Sequence, residues 1–204
     1  MRRQLVPAVM SMVIFTVLLG LAYPLLTTGV AQVVFKDNAD GSIVDANGKA
    51  VGSSLIGQSF TDKSGNPIPE YFQSRPSAAV GASGTTKVGY DPTYSSGSNL
   101  GPTNPDFLKE ISKRVKDYRE LNGLDDTVKV PVDAVTASGS GLDPDISIAN
   151  ARLQAARVAD ERGLSKAEVL KLIDDHTSGR TLGILGEKAV NVLELNLALD
   201  QRTS

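Results

Sequence analysis

The chain has 204 residues, 21 basic and 23 acidic side chains, a formal net charge of -2, and no cysteine. Without cysteine there is no disulfide, thiolate nucleophile or Cys-ligated metal. The weak net acidity argues against the clustered Lys and Arg surface that nucleic acid needs, and an aromatic content of 5% without Trp leaves little for stacking bases or sugars.

The first 35 residues carry the clearest pattern. After Arg2 and Arg3 there is no charged side chain until Lys36. Residues 5–26 are mostly apolar, and about 22 residues at 1.5 Å rise make about 33 Å of helix, enough for a hydrocarbon core about 30 Å thick. Two arginines and the α-amine precede the span, while Lys36 and Lys49 follow it. The positive-inside rule therefore predicts a cytoplasmic N-terminus and an extracytoplasmic remainder. A removable signal peptide is the alternative, with Gly29-Val-Ala31 as a small-residue cleavage site, but its apolar core would be long. Gly20 and Pro24 sit near the outer end of the span, where a packed neighbouring helix makes such residues tolerable.

Past the span lie 19 basic and 23 acidic residues, a net charge of about -4 spread over about 170 residues, enough for one domain. Asn47-Gly48 between short apolar runs predicts a hairpin within residues 41–60, with a further short strand at 55–60. Residues 61–104 are loop-rich, with turn clusters at 64–69, 81–86 and 91–105; Phe72, Arg75, Tyr90 and Leu100 read as pins holding the loop to a scaffold. Asn104-Pro105 starts a helix that runs to Asn122-Gly123, its apolar side set by Phe107, Leu108, Ile111, Val115, Tyr118 and Leu121. Residues 128–135 are β-branched and strand-like, with Pro131 pointing to an edge. Asp143-Pro144 reads as an N-cap for a helix ending at Gly163. Ser165 and Glu168 form a capping box for a helix to about His176. Residues 190–200 alternate like a strand but have helix-forming composition, with a slight lean to helix. The fold class expected is an extracytoplasmic α+β domain, 36–204, after an N-terminal tip and transmembrane helix, 1–35.

No Gly-x-Ser-x-Gly or Ser-x-x-Lys spacing is present, so the serine-nucleophile patterns fail. The single histidine, His176, follows Asp174 and Asp175 at a helix end and reads as a surface residue. Asp133, Asp143 and Asp145 invite a calcium reading, for which N-capping by Asp143 is the simpler account. The loop at 95–101 presents backbone N–H groups to an anion or is simply a tight turn. No catalytic constellation assembles.

Several stretches taken in order resemble a known family. They are Gly20-Leu-Ala-Tyr-Pro-Leu25, Gly52-Ser-Ser-Leu-Ile-Gly-Gln58, Phe72-Gln-Ser-Arg-Pro-Ser-Ala78, Ser98-Asn-Leu-Gly-Pro-Thr-Asn104, the run from Val130 to Asp145, and Val190-Asn-Val-Leu193. Together they resemble the C subunit of the high-affinity potassium-transporting P-type ATPase. The chain departs from the family pattern at Ser96-Gly97 and at Glu187-Lys188. The resemblance implies a single-pass accessory subunit of the bacterial inner membrane, without a catalytic centre or cofactor of its own. It implies two partners, a channel-like potassium-binding subunit and an ATP-hydrolysing subunit that carries the ATP and magnesium. Assembly, stabilisation and promotion of ATP binding by the pump subunit are the roles implied. On this reading Gln73, Arg75, Ser98, Asn99 and Asn104 order an outer cap or touch a partner, while Gly20 and Pro24 pack the anchor. Arg75, presented rigidly before Pro76, suits carbonyl or carboxylate contacts; an ion pair within the domain is the equal alternative. A membrane-anchored envelope enzyme or ligand-binding module acting alone is the alternative function.

Overall fold

The structure, a computed structural model, describes residues 2–81 and 89–202. Most of the turn cluster expected at 81–86 therefore lies outside the described residues. The chain divides into two units, Met1–Val44 and Asp45–Ser204.

In the first unit the apolar sequence forms helix α1 (Arg2–Val17), a π-helical turn (Leu18–Ala22) and helix α2 (Tyr23–Val34). One stretch, Arg3–Val34, is long and apolar enough to cross a membrane, and none of its apolar window is buried within the protein. At 32 residues it is about 48 Å long, longer than the expected 5–26 span. The extension follows from chemistry. Residues 27–34 carry no charge, and the Thr27 hydroxyl donates to the carbonyls of Tyr23 and Pro24, at 3.0 and 2.9 Å. The π turn has a cause as well. Pro24 has no N–H for the Gly20 carbonyl, and its ring would crowd that oxygen in an α-helix. Widening the turn relieves the crowding, and the Tyr23 N–H reaches back to the Leu18 carbonyl. A short turn, α3 (Lys36–Ala39), follows.

The hairpin pairs β1 (Ile43–Ala46) with β2 (Lys49–Ser53). Asn47 and Gly48 hold φ of 52° and 75°, the type I′ geometry their identities favour. Residues 55–60 form no strand, which corrects the sequence reading. Gly57 donates its N–H to the Leu142 carbonyl at 2.9 Å, and the Gln58 side chain donates to the Val51 carbonyl at 2.7 Å. A Cβ on Gly57 would stand 2.5 Å from the Asp143 carbonyl oxygen and 2.4 Å from Tyr90, so this stretch packs flat against a loop. Among the described residues, 61–104 hold only an isolated bridge between Thr61 and Pro67.

Helix α4 (Pro105–Leu121) begins where Asn104 accepts the N–H groups of Asp106 and Phe107. Tyr118 is its buried apolar residue, whereas Leu108 is 52% exposed. Residues 128–135 also form no strand. Arg119 donates to the Val128 carbonyl and Arg114 to the Val135 carbonyl, at 2.8 and 3.0 Å. Guanidinium donors from α4 thus occupy acceptors that a strand would offer a neighbour, and Pro131 opens a 3-10 turn (Val132–Ala134).

Asp143 is not an N-cap, because the chain continues extended as β3 (Asp145–Ser147). The cap of α5 (Ile148–Arg162) is Ser147, whose hydroxyl accepts the Asn150 N–H at 3.1 Å. Gly163 ends α5 at φ 64°. Helix α6 (Lys166–Asp175) has the Ser165–Glu168 capping box. The ambiguous C-terminal segment is both structures in turn. Strand β5 (Ala189–Asn191) leads directly into α7 (Val192–Arg202). Strand β5 is central, antiparallel to β3 and to β4 (Thr177–Ser178), with Ile146 opposite Val190. Leu193, Leu195 and Leu199 are all buried, so α7 is covered on more than one side and its alternating leucines need no strand. The core joins these helices and the sheet around Phe72, Ile146, Ala155, Ile173, Val190 and Leu195.

Candidate functional site

The irregular segment 68–77 is held by side chains at every step. Phe72 is fully buried. Its N–H donates to Asn196 Oδ1 at 2.9 Å, and its carbonyl accepts from Asn196 Nδ2 at 3.0 Å. The next residue is clasped the same way: the Gln73 N–H donates to Gln154 Oε1 at 2.7 Å, and its carbonyl accepts from Gln154 Nε2 at 3.1 Å. Each carboxamide offers one acceptor and a donor pair, matching one residue of extended backbone. Arg157 donates to the carbonyls of Pro69 and Tyr71, and through Nε to Asn122 Oδ1 at 3.0 Å. Burial lowers its pKa to about 10, so it stays charged at neutral pH.

This scaffold floors a cleft of about 230 Å³ between the loop and α4. Ser74, Arg75, Ser77 and Tyr90 line one side, and Arg114, Tyr118 and Leu121 the other. Arg75 Nη1 donates to Asp143 Oδ2 at 2.9 Å, and Nη2 reaches the Thr136 carbonyl at 3.5 Å. Its Nε–H is buried without a hydrogen-bond partner. The Tyr90 hydroxyl donates to the Arg75 carbonyl at 2.8 Å, and the Ser77 hydroxyl to the Gly141 carbonyl at 2.6 Å. Burial pushes the Tyr90 and Tyr118 phenols well above their ordinary value, which keeps both protonated as donors. Asp145 is held above the ordinary carboxylate value, chiefly by burial and then by Asp143 and Glu194.

The structure brings Gln73 and Arg75 together and leaves the other sequence-derived residues elsewhere. Gln73 lines the cleft, but its amide is committed to the Ile68 and Tyr71 carbonyls at 3.0 and 3.2 Å. Arg75 forms the ion pair within the domain. Ser98 and Asn99 are exposed and line no part of the cleft, with Asn99 at φ 54°. Asn104 is a helix cap. Gly20 lies inside the π turn, and Pro24 is the second residue of the helix after it. Ser96 gives its N–H to the Ser140 carbonyl at 2.8 Å, so the 95–101 loop is pinned to the chain itself. Asp133 accepts from the Ser147 backbone and hydroxyl and from Asn150, at 2.8 to 3.0 Å, which makes it a structural acceptor. His176 caps α6, its Nδ1 2.9 Å from the Leu172 carbonyl. Among the described residues no group of three His, Cys, Asp or Glu is placed to hold a metal.

Sequence reading missed Asn150, Gln154, Arg157 and Asn196, which do the holding. Their signal is faint: three polar residues at spacings of four and three in α5, among buried alanines. Chemically the cleft's donors are committed inside the domain: the Ser74, Ser77 and Tyr90 hydroxyls to the Gln58, Gly141 and Arg75 carbonyls, Tyr118 to Asn150, and Arg75 and Arg114 to Asp143 and the Val135 carbonyl.

Span, fold and cleft together define a class: a single-pass membrane protein whose α+β domain presents a rigid, loop-built face. The family model described as "KdpC: K+-transporting ATPase, c chain" matches residues 5–201. The "Potassium-transporting ATPase KdpC subunit" of Mycobacterium tuberculosis (strain ATCC 25618 / H37Rv) is 52% identical over 201 residues, covering 98% of this chain and 100% of the relative. The subunits so named from Koribacter versatilis (strain Ellin345) and Caulobacter vibrioides (strain NA1000 / CB15N) are 50% and 52% identical. They cover 98% and 96% of this chain and 95% and 92% of their own lengths. The chain belongs to the KdpC family.

Proposed function

We propose that this chain is the accessory, non-catalytic subunit of an ATP-driven potassium uptake complex. Residues 1–35 anchor it in the bacterial inner membrane with the N-terminus in the cytoplasm, and residues 36–204 form the extracytoplasmic domain. Its partners are a channel-like potassium-binding subunit and a P-type subunit that binds ATP and magnesium; lipid surrounds the anchor, and nucleic acid has no part. The observation that carries this reading is the family match over residues 5–201 on a chain with an N-terminal apolar helix of 32 residues.

The role is assembly and stabilisation of the two larger subunits. With the outer loops on the opposite side of the membrane from ATP, any promotion of nucleotide binding by the pump subunit passes through subunit contacts. The test is purification of the tagged chain from native membranes in mild detergent. The expected result is a complex of fixed stoichiometry with potassium-dependent ATP hydrolysis. A chain that runs alone would instead be an independent envelope protein.

A further inference from the structure

Asn-Gly occurs twice in this chain, at Asn47-Gly48 and at Asn122-Gly123. The pair has a chemistry of its own. The backbone nitrogen after an asparagine can reach the carboxamide carbon of that asparagine, and joining the two closes a five-membered ring. Glycine leaves the nitrogen unscreened, because it has no Cβ. Attack needs the two atoms aligned at about 3–3.5 Å. The fold treats the two pairs oppositely. Asn122 is buried; its Nδ2 donates to the Tyr118 carbonyl at 2.8 Å, and its Oδ1 accepts from Arg157 Nε at 3.0 Å. The Gly123 N–H donates to the Glu120 carbonyl at 3.3 Å. Electrophile and nucleophile are therefore both held, at the end of a helix of 17 residues.

Asn47 and Gly48 are exposed at the crown of the β1–β2 turn, and no hydrogen bond among the described residues holds the Asn47 carboxamide. A Cβ on Gly48 would meet nothing within 4 Å. The closing bond of such a turn joins the residues on either side of the central pair, so it makes no use of the Gly48 N–H. While the turn is closed Asn47 is left-handed, at φ 52°, and ring closure waits for the turn to open. Opening is cheap. The two strands form a sheet with no third strand, no residue of either is fully buried, and such a hairpin is marginal by itself. We propose that Asn47 is a site of self-modification, converting through a cyclic imide to aspartate and isoaspartate, while Asn122 is protected by the fold. The Gly48 nitrogen gives its proton to water and bonds to Asn47 Cγ; the Cγ–Nδ2 bond breaks, and Nδ2 leaves as ammonia with a proton from water. A second water opens the ring. Cleavage of the nitrogen's bond to Cγ leaves aspartate in an ordinary main chain. Cleavage of its bond to the main-chain carbon leaves isoaspartate, with one extra methylene in the backbone. Asp-Gly still suits the turn. Isoaspartate does not, because loop length fixes the register of a hairpin, so the β1–β2 pairing is lost in that fraction of chains.

The test holds the full-length chain folded in mild detergent for days at neutral pH, beside a denatured sample. Trypsin cleavage after Lys36 and Lys49, and after Arg119 and Lys129, puts each Asn-Gly pair on its own peptide for mass spectrometry. Fragment masses separate a change at Asn47 from one at Asn38 on the same peptide. In the folded chain, conversion at Asn47 is expected to run at least about tenfold ahead of Asn122, because a helix end held by buried partners opens far more rarely than an exposed turn. In the denatured sample the two should convert at nearly equal rates, since there the dipeptide alone sets the chemistry. Asn47 left intact in the folded chain overturns the proposal, and so does equal conversion at Asn122 in that sample. Isoaspartate and aspartate forms of the 37–49 peptide separate by chromatography. Both are expected, and aspartate alone would mean direct hydrolysis of the amide by water and overturn the cyclic route.

Discussion

Gln154 is the residue on which the cleft floor turns, since its one carboxamide satisfies both backbone groups of Gln73 and accepts from Arg157 Nη2 at 2.9 Å. Gln154→Leu keeps the volume roughly but strands three buried polar groups, at a cost of about 2–4 kcal/mol. For a chain of this size that corresponds to a melting temperature lower by on the order of 10 °C, measurable on the detergent-solubilised protein; a shift near zero would show that the loop finds other partners. Glu168 makes a pH-dependent prediction. Hydrogen bonds from the Ser165 side chain and backbone hold its carboxyl below its ordinary value. A lowered folded-state pKa means stabilisation fully present above the ordinary value and lost as pH falls through the folded one. Glu168→Gln should therefore melt below the parent at neutral pH, with the difference closing in strong acid; a gap independent of pH would assign the effect to shape. At this scale the sequence was readable where chemistry is local. Ser165 and Glu168 are three residues apart, and Asn104 caps its own helix. Arg75 could be singled out before Pro76, but its partner Asp143 lies 68 residues away. Nothing in either neighbourhood announces that pairing.

Elements follow the same division between near and far. The hairpin, the helices capped by Asn104 and Ser165 and the presence of a long apolar helix were legible from spacing and turn chemistry, and so was the α+β class, whereas the cap of α5 was misplaced at Asp143 instead of Ser147. The two strands expected at 55–60 and 128–135 were not formed. In the second case β-branched residues meet arginines from α4 rather than a strand, and propensity yields to those contacts. Strand β3 was hidden behind Asp143-Pro144, because an Asp-Pro pair signals a helix start equally well whether the helix begins at once or three residues later. In the span, Gly20 sits in the π turn, and a Cβ there would meet only Thr16 Cγ2, at 4.0 Å. Nothing among the described residues therefore requires glycine, whereas close approach of a second helix would. Gly20→Ile should insert into the membrane and melt like the parent, while the yield of partner subunits purified with it falls several-fold. Parent-level yield from this variant would place the packing seam on another face of the helix.

Across the whole molecule, every functional argument about the α+β domain depends on which side of the membrane it occupies. Arg2 and Arg3 stand at the head of the span, against Lys36 and the more distant Lys49 after it, so the asymmetry is small in number. The absence of native cysteine makes the direction measurable without background. Ser98→Cys places one thiol on an exposed loop outside the cleft, and Gln4→Cys places one at the start of the helix. In intact spheroplasts a membrane-impermeant maleimide should label Ser98→Cys fully and Gln4→Cys only after the membrane is permeabilised. The reverse pattern would put the Arg75 cleft and the 95–101 loop in the ATP-containing compartment and reopen direct nucleotide contact. The expected pattern removes it, since a loop outside the membrane reaches the nucleotide only by biasing a partner that spans it. Coupling of that kind is reciprocal in binding free energy. If the chain raises the ATP affinity of the pump subunit, ATP must tighten the hold of the pump on this chain by the same factor. Recovery of the chain with its partners, measured with and without nucleotide in parallel with nucleotide affinity measured with and without the chain, would then give one factor from both directions. Two unequal factors would mean that the effect on ATP is kinetic rather than a shift in binding.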